Sequence, residues 1–443
     1  MNVRSLTARR PRRWPLVAAI ALAIPVPVLA DSVTSWNATA TAVAPRLGSP
    51  QFQARGMAIV HIAVHDALNS IRPRYGSYTG VAPANPGASP DAAVAASART
   101  TLLALLPDGS AEETIVETAY VAALSAIPAS TAKSDGIAAG SAAAAAILAM
   151  RANDGSANPN RTYVEPLVPG RYQPTPSTPD PSNPAVITPL MQGWAELVPF
   201  ALRRGDQFRI DPGEIFDLKG PAYTREFNQV KTLGDARVRG TSPNSRETDI
   251  GRFWAAGGFN WNPIARGIVA GLALDRWQHA RLFALMNIAV SDANIAAQDS
   301  KYAYKFWRPV TAIRRAAEDG NPATVADPYW TPLVVTPPYP DYPCNLPSGA
   351  SASAETLRRY FGTDQIPFTR TAIAPAVPLP PPLAPMSEKT IIRSYTSLSA
   401  AANESAISRV YAGIHFLDGC RASVRQARAV AAYAFTHYLK PLK

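Results

Sequence analysis

Apolar residues recur every three to four positions along most of the chain, the period of helices that bury one face. The stretch 53–71 shows it first: Met57, Val60, Ala63, Val64, Ala67 and Leu68 form one stripe that stops before Pro73. Three Ala- and Leu-rich helices follow at 91–106, 111–127 and 131–151, separated by Pro107-Asp108-Gly109 and by Pro128. Over 154–215 the period lapses and prolines are frequent. The interspersed Trp194, Phe200 and Phe208 predict an ordered excursion wrapped on the bundle. Helical spacing returns at 223–233 and 247–256 and is strongest over 268–300, through Leu272, Trp277, Leu282, Met286 and Ala289. Proline-rich loops at 322–347 and 364–387 flank a helix at 350–361 that ends on Gly362, and 388–410 and 420–438 are the last helices. No strand, no repeat of roughly 20 to 50 residues and no dividing linker is evident. The pattern predicts an all-α fold, a helical bundle with long proline-rich loops.

The 443 residues are 47% hydrophobic, enough for a large core and too apolar for global disorder. Forty-three prolines exclude a coiled coil, and only two cysteines, Cys344 and Cys420, exclude a disulfide-rich scaffold. A net charge of +11 suggests a polyanionic partner until its location is considered. Arg4, Arg9, Arg10, Arg12 and Arg13 precede any acid, and an apolar stretch from 14 to 30 follows, closing on Val28-Leu29-Ala30. This order predicts a secretory signal peptide over 1–30, cleaved near Ala30, with the Sec and twin-arginine routes both open. The apolar run holds three prolines and is shorter than the roughly 20 residues of a membrane span. Its removal leaves +6. With no basic run interleaved with aromatics, nucleic acid ranks last among partners. The mature chain, 31–443, has no other candidate span and reads as one domain, with N-terminal helices and wrapping loops over 31–265 and the chemistry over 266–443. Export to the periplasm or beyond puts both cysteines where they can pair. Oligomeric state is left open.

Three segments collect polar residues that a core does not need. Lys301 and Arg308 stand seven residues apart, two turns along one helical face, with Pro309 following. The loop Pro337-Pro338-Tyr339-Pro340-Asp341-Tyr342-Pro343 runs into a helix start, and in the segment from Ser408 onward Arg409 and His415 flank Gly413. Three cations, a helix N-terminus and one imidazole describe a receptacle for a tetrahedral oxyanion. Arginine offers a planar fork, lysine a point charge, and the helix start free N–H donors. A single Arg or Lys is usually a solvated surface charge, so the combination carries the reading. His61, His65 and Asp66 read as satisfied core or interface groups, and His279 and His437 as surface residues. Asp292 and Asp299 either orient the cations or face solvent. Phosphate-binding Gly-rich loops, paired-Cys zinc motifs and a Gly-x-Ser-x-Gly elbow are absent.

The order Lys, six residues, Arg-Pro, then a Tyr-Pro-Ser-Gly-His loop, then Ser-Arg, three residues, Gly, one residue, His is the signature of the vanadium-dependent haloperoxidases and the type 2 phosphatidic acid phosphatases. This chain resembles that superfamily: the first and third parts stand intact as Lys301, Arg308, Pro309, Ser408, Arg409, Gly413 and His415. Further likeness to the bacterial secreted haloperoxidase-like branch lies in the 60–67 segment, in Asp206-Gln207-Phe208-Arg209 and in 306–314, so the resemblance spans most of the mature chain. It implies an all-helical fold and a vanadate cofactor, with phosphate as the alternative occupant. His415 becomes the vanadate ligand or the nucleophile on phosphorus, with Lys301, Arg308 and Arg409 on the equatorial oxygens. Hydrogen peroxide with halide, or another small molecule, is the implied substrate set. Tyr339 and Trp307 are the expected halide or substrate pocket.

The middle part departs from the signature. One alignment takes Pro347-Ser348-Gly349-Ala350 as the loop, with Ala in place of His. The other aligns Tyr342-Pro343 without a gap and is preferred; it puts Cys344, Asn345 and Leu346 at the Ser, Gly and His positions and Ser348 in the following helical turn. Both lose the loop histidine, the acid or base of the reaction, at a typical cost of about 10²- to 10⁴-fold in rate. Anion binding is therefore expected to survive better than turnover, unless Asp341, Tyr339 or Tyr342 supplies the proton step. Long loops and the lack of membrane helices favour a haloperoxidase over a lipid phosphatase. A phosphomonoesterase using His415 and a noncatalytic oxyanion-binding protein are the alternatives. If loop and histidine line one pocket, Cys344 and Cys420 are neighbours, and a disulfide between them stabilises by up to roughly 4 kcal/mol. Mass analysis of the nonreduced protein should return one 344–420 crosslink; two free thiols would overturn the pairing.

Overall fold

Repeated alanine lets helices approach closely, and the fold is built on that. The computed structural model describes residues 31–178, 180, 182–183, 185–256 and 261–442; the expected export signal over 1–30 lies outside the described residues. The N-terminal helices are α1 (Ser32–Val43), α2 (Pro50–Ile71), α3 (Pro90–Leu105), α4 (Ala111–Ser125) and α5 (Thr131–Arg151). After the 152–220 excursion come α6 (Pro221–Leu233), α7 (Ala236–Thr241), α8 (Arg246–Ala255), α9 (Asn262–Val269) and α10 (Arg276–Tyr304). The C-terminal set is α11 (Pro309–Arg314), α12 (Asn345–Phe361), α13 (Leu398–Tyr411) and α14 (Leu417–His437). No described helix is long and apolar enough to cross a membrane.

The 29-residue α10 is the spine, packed against α2, α12 and α14. Ala284, Ala289, Ala293 and Ala296 of α10 share one apolar cluster with Ala352 of α12 and with Ala427, Ala431 and Ala434 of α14. Small side chains on every facing surface are what permit four helices to meet. The same logic brings α3 and α5 together at Gly140, where a Cβ would stand 2.3 Å from the Ala93 carbonyl oxygen. Asp292, fully buried on α10, ties the spine to the excursion by accepting from the N–H groups of Phe200, Ala201 and Leu202 at 2.6–2.9 Å. Burial pushes its carboxyl up to about 6 against the pull of those donors.

Several expectations need correction. The periodic run 268–300 is broken: α9 ends at Val269, Leu272 lies 42% exposed in a turn, and α10 starts afresh from a capping box in which Asp275 and Gln278 satisfy each other's backbone N–H. Strands exist: β1 (Thr175–Pro176) pairs with β2 (Val186–Ile187), and β3 (Phe368–Ala374) pairs antiparallel with β4 (Lys389–Tyr395) in the register Phe368 to Tyr395. The second hairpin occupies part of the expected 364–387 loop and the first turns of the expected 388–410 helix. Thr369, Thr371, Ile373, Thr390, Ile391 and Ile392 supply the β-branched side chains that favour extension, and the helix begins only at Leu398 after the Ser397 cap. α12 begins five residues early, at Asn345, because Pro347 falls in its first turn, where a missing N–H costs nothing. His279 is not a surface residue; it is buried, with Nδ1 2.5 Å from Asp31 Oδ2, whereas His437 is exposed. Asp299 forms a bidentate pair with Arg209 at 2.7 Å, and neither it nor Asp292 touches Lys301, Arg308 or Arg409.

Asp292→Ala leaves three buried N–H groups without an acceptor and should destabilise the protein by about 3 kcal/mol. Urea unfolding measures this; a loss below about 1 kcal/mol contradicts the spine-to-excursion role.

Candidate oxyanion site

The α13–α14 turn needs its glycine twice over. Gly413 has φ +76°, and a Cβ there would stand 2.4 Å from the Gly234 carbonyl oxygen and 2.9 Å from Pro332 Cα. The Ile414 N–H returns to the Arg409 carbonyl at 3.1 Å, which closes the turn and presents His415 just before α14. Lys301, in the last turn of α10, sends its ammonium to the carbonyls of Pro340 and Asp341 at 2.8 and 3.0 Å and to that of Pro343. Arg308, just before α11, donates from Nε to the Tyr339 carbonyl at 2.7 Å and from Nη1 to the Ile414 carbonyl at 2.7 Å and to His415 Nε2 at 2.8 Å. The cations thus clamp the 339–343 loop to the histidine turn. The Cys344–Cys420 disulfide joins the same two segments, beside a 3.2 Å hydrogen bond from the Cys344 N–H to the Gly419 carbonyl.

Arginine can only donate, so His415 Nε2 accepts and the ring proton sits on Nδ1. Asp341 Oδ1 lies 2.9 Å from that Nδ1, although neither carboxylate oxygen has an aligned hydrogen-bond donor. Burial, then Arg308, Lys301 and Arg409, hold the imidazole well below its ordinary value, so it is neutral. Burial also pushes the Asp341 carboxyl up to about 7 against the pull of Arg308 and Lys301. Lys301 is pushed well down by burial and by Arg308, and burial lowers Arg409 to about 10.

A cavity of about 240 Å³ opens on this centre. His415, Arg409, Tyr339, Asn345, Leu346 and Gly349 line it, while Lys301 and Arg308 form the layer behind. Arg308 Nη2, Arg409 Nη1 and the Asn345 carboxamide are buried and lack hydrogen-bond partners. Tyr339 places its ring 5.2 Å from both the Lys301 and Arg308 cationic groups. Ser348 turns away to the Ala293 carbonyl at 3.1 Å, and Cys344 is the residue before α12 rather than a cavity wall. Trp307 is not brought to the cavity. It stacks on Tyr223 at 6.3 Å in an aromatic core, because the extended backbone at 307–308 sends neighbouring side chains opposite ways and Arg308 takes the inner one. Tyr342 likewise donates to the Asp211 carbonyl at 2.9 Å, outside the site. The sulfur atoms of Cys344 and Cys420 and a His415 ring nitrogen lie within 4.8 Å of one another, but the disulfide leaves no thiolate to hold a metal. Sequence reasoning missed the carboxamides of Asn287 and Asn294 on the far wall. Their signal was a polar heptad stripe, Asn287, Ser291, Asn294, Gln298 and Lys301, on one face of α10.

A helical bundle that gathers these cations around one imidazole is what the resemblance to the vanadium-dependent haloperoxidases and type 2 phosphatidic acid phosphatases implies, and the comparisons support that superfamily. Residues 281–443 match the family model of the VCPO second helical-bundle domain. The vanadium chloroperoxidase of Curvularia inaequalis is 27% identical over 233 residues, which are 41% of this chain and 38% of that protein; the chain thus spans well under half the length of this curated relative. A bacterial vanadium-dependent iodoperoxidase shares the fold at TM-score 0.74 and 22% identity, covering 95% of this chain and 99% of that one. A bacterial vanadium-dependent chloroperoxidase in its holo form follows at TM-score 0.68 and 17% identity, covering 88% and 94%.

The Asp341 carboxyl is neutral below about pH 7 and gains a charge that repels a bound anion above it. Sulfate, whose own charge is constant across neutral pH, should bind about tenfold more weakly well above that pH than well below it. Asp341→Asn should flatten the titration; a variant that keeps the full slope removes Asp341 as its source.

Proposed function

We propose that this protein is an exported vanadium-dependent haloperoxidase that binds vanadate through His415 and oxidises halide with hydrogen peroxide. One observation carries the reading. Lys301, Arg308 and Arg409 are buried around a neutral imidazole, Asp341 is the buried acidic neighbour among the described residues, and Arg308 Nη2 and Arg409 Nη1 lack hydrogen-bond partners. Uncompensated buried charge is costly, so the site stores a demand for an anion. The donor set fits vanadate: an imidazole nitrogen for the metal and N–H donors for its oxygens. His415 Nε2 becomes available when Arg308 Nη1 turns its hydrogen bond from that nitrogen to an oxygen of the anion. Arg308 keeps its place through Nε on the Tyr339 carbonyl, and Asp341 Oδ1 stays 2.9 Å from Nδ1. When bound, vanadate activates hydrogen peroxide for transfer of one oxygen to halide. Peroxide, halide and a proton give hypohalous acid and water.

Leu346 lines the cavity near Asn345, and among the described residues no second imidazole does. The Tyr339 phenol is the hydroxyl on the same wall as His415 that can pass a proton, while Asp341 sits behind the ring. Without that proton step from Tyr339, turnover falls by about 10²- to 10⁴-fold against a site with a general acid. The unprotonated Nε2 equally suits attack on phosphorus, which keeps phosphomonoester hydrolysis as the second reading. The Cys344–Cys420 disulfide supports action in an oxidising compartment.

Iodide and bromide oxidation with peroxide, before and after vanadate reconstitution, should be vanadate-dependent and fall to background in His415→Ala. Arg409→Ala should lose about 10²-fold. Hydrolysis of p-nitrophenyl phosphate that vanadate inhibits replaces this reading with the phosphatase, and an unchanged His415→Ala overturns the site.

A further inference from the structure

A second cavity, of about 210 Å³, shares Ala255, Val334 and Val335 with the oxyanion cavity as a common wall. Apart from that wall, Val310, Leu333 and the 375–378 segment after β3 make it mainly apolar. Its volume lies below the usual range for drug-sized ligands and suits one ring or a short chain. The lining holds one charged residue, Arg252 of α8, and no carboxylate.

An arginine on a helix ordinarily lays its stem along apolar surface and keeps its guanidinium in water. Arg252 is only 3% exposed. Its Nη2 donates to the carbonyls of Pro375 and Ser387 at 3.0 and 2.5 Å, which ties α8 to both ends of the segment between β3 and β4. Those carbonyls satisfy one nitrogen and leave the charge. Nε is buried without a hydrogen-bond partner, and no hydrogen bond from Nη1 occurs among the described residues. Burial lowers the guanidinium from its ordinary value, and Asp249, the acid that opposes this, is already bound to Lys389 Nζ at 2.7 Å. Thr178 and Thr336 also line the chamber, and their hydroxyl oxygens are buried without partners.

Uncompensated buried charge is costly, so what the chamber lacks is an anionic group. The apolar wall decides what that group is attached to. An inorganic oxyanion would leave its remaining oxygens against valine and proline side chains, unpaired. A carboxylate brings two oxygens to the cation and an apolar body to the wall.

We propose that this chamber binds a small organic monocarboxylate, its carboxylate paired with the Arg252 guanidinium and its apolar body against Val310, Leu333 and Val377, with Thr178 and Thr336 as further donors. The site is separate from the oxyanion centre and does not rest on the haloperoxidase reading.

Benzoate is the probe. In calorimetry the unmodified protein should bind it one to one, about tenfold more tightly than benzamide, which has the ring without the charge, or acetate, which has the charge without the ring. Arg252→Gln keeps a donor for the Pro375 and Ser387 carbonyls but removes the charge, and should bring benzoate to the affinity of benzamide. Ala376→Trp, at an exposed position of the lining, should weaken benzoate and benzamide alike. Melting temperatures identify any variant that fails to fold, and the benzoate-to-benzamide ratio in the unmodified protein stands as a test without either substitution. Equal affinity for benzoate and benzamide, or a preference that survives Arg252→Gln, overturns the proposal. Benzoate binding that is lost in Arg409→Ala and kept in Arg252→Gln belongs to the oxyanion cavity and overturns it as well.

Discussion

The Lys301 ammonium, buried against the carbonyls of Pro340, Asp341 and Pro343, is the contact on which the site hangs. It fixes the end of the α10 spine to a loop that has no regular structure of its own. That loop carries Tyr339, Asp341 and Cys344 and delivers the chain into α12. Arg308 grips the same loop at the Tyr339 carbonyl and the histidine turn at the Ile414 carbonyl, so two cations do the joining that secondary structure does elsewhere. Carbonyl dipoles satisfy the hydrogen bonds of these cations without neutralising their charge. The charge left over is what an anion answers. One arrangement therefore both holds the loop and creates the demand for a ligand.

Much of this was legible in the sequence, for reasons that differ by residue. Arg409, Gly413 and His415 lie within one short turn, so their spacing alone brings them together, and Gly413 is confined by both its φ and its contacts. The Cys344–Cys420 pair followed from expecting loop and turn to meet. Less legible was the depth at which each cation sits. Lys301, Arg308 and Arg409 were expected to share the oxyanion, but only Arg409 reaches the cavity wall, because the carbonyls of the 340–343 loop take the ammonium first. No spacing rule reports competition from a backbone that folds in from forty residues away. Trp307 was misplaced by a one-residue alternation of an extended segment. The 368–395 hairpin was overlooked because its outward-facing Ile373 and Ile392 obscure the polar-out alternation of a two-stranded sheet.

The carboxamide wall illustrates a third kind of difficulty. Asn287 and Asn294 stand on the buried 29-residue spine, where they read as interruptions. In the fold, the same face of α10 runs from these amides on the cavity wall to Lys301 in the layer behind the histidine. A heptad stripe of polar residues in a buried helix has a simple alternative, a satisfied core network. The Asn37–Asn262–Asn287–His61 chain is such a network in part, with His61 held near a pKa of about 4 by burial and so neutral, its Nδ1 donating to the Met57 carbonyl and its Nε2 accepting from Asn37.

Leu346, which the gap-free alignment sets at the position of the loop histidine, would change more than acid catalysis. An apolar side chain at the mouth of the anion centre removes a titrating group and lowers the local dielectric, which strengthens whatever Arg409 and Arg308 offer an anion. The same apolar wall then discriminates among second molecules by charge. A second anion is repelled once the first is bound, and a cation meets Arg409, so a neutral molecule is what enters without opposing the field.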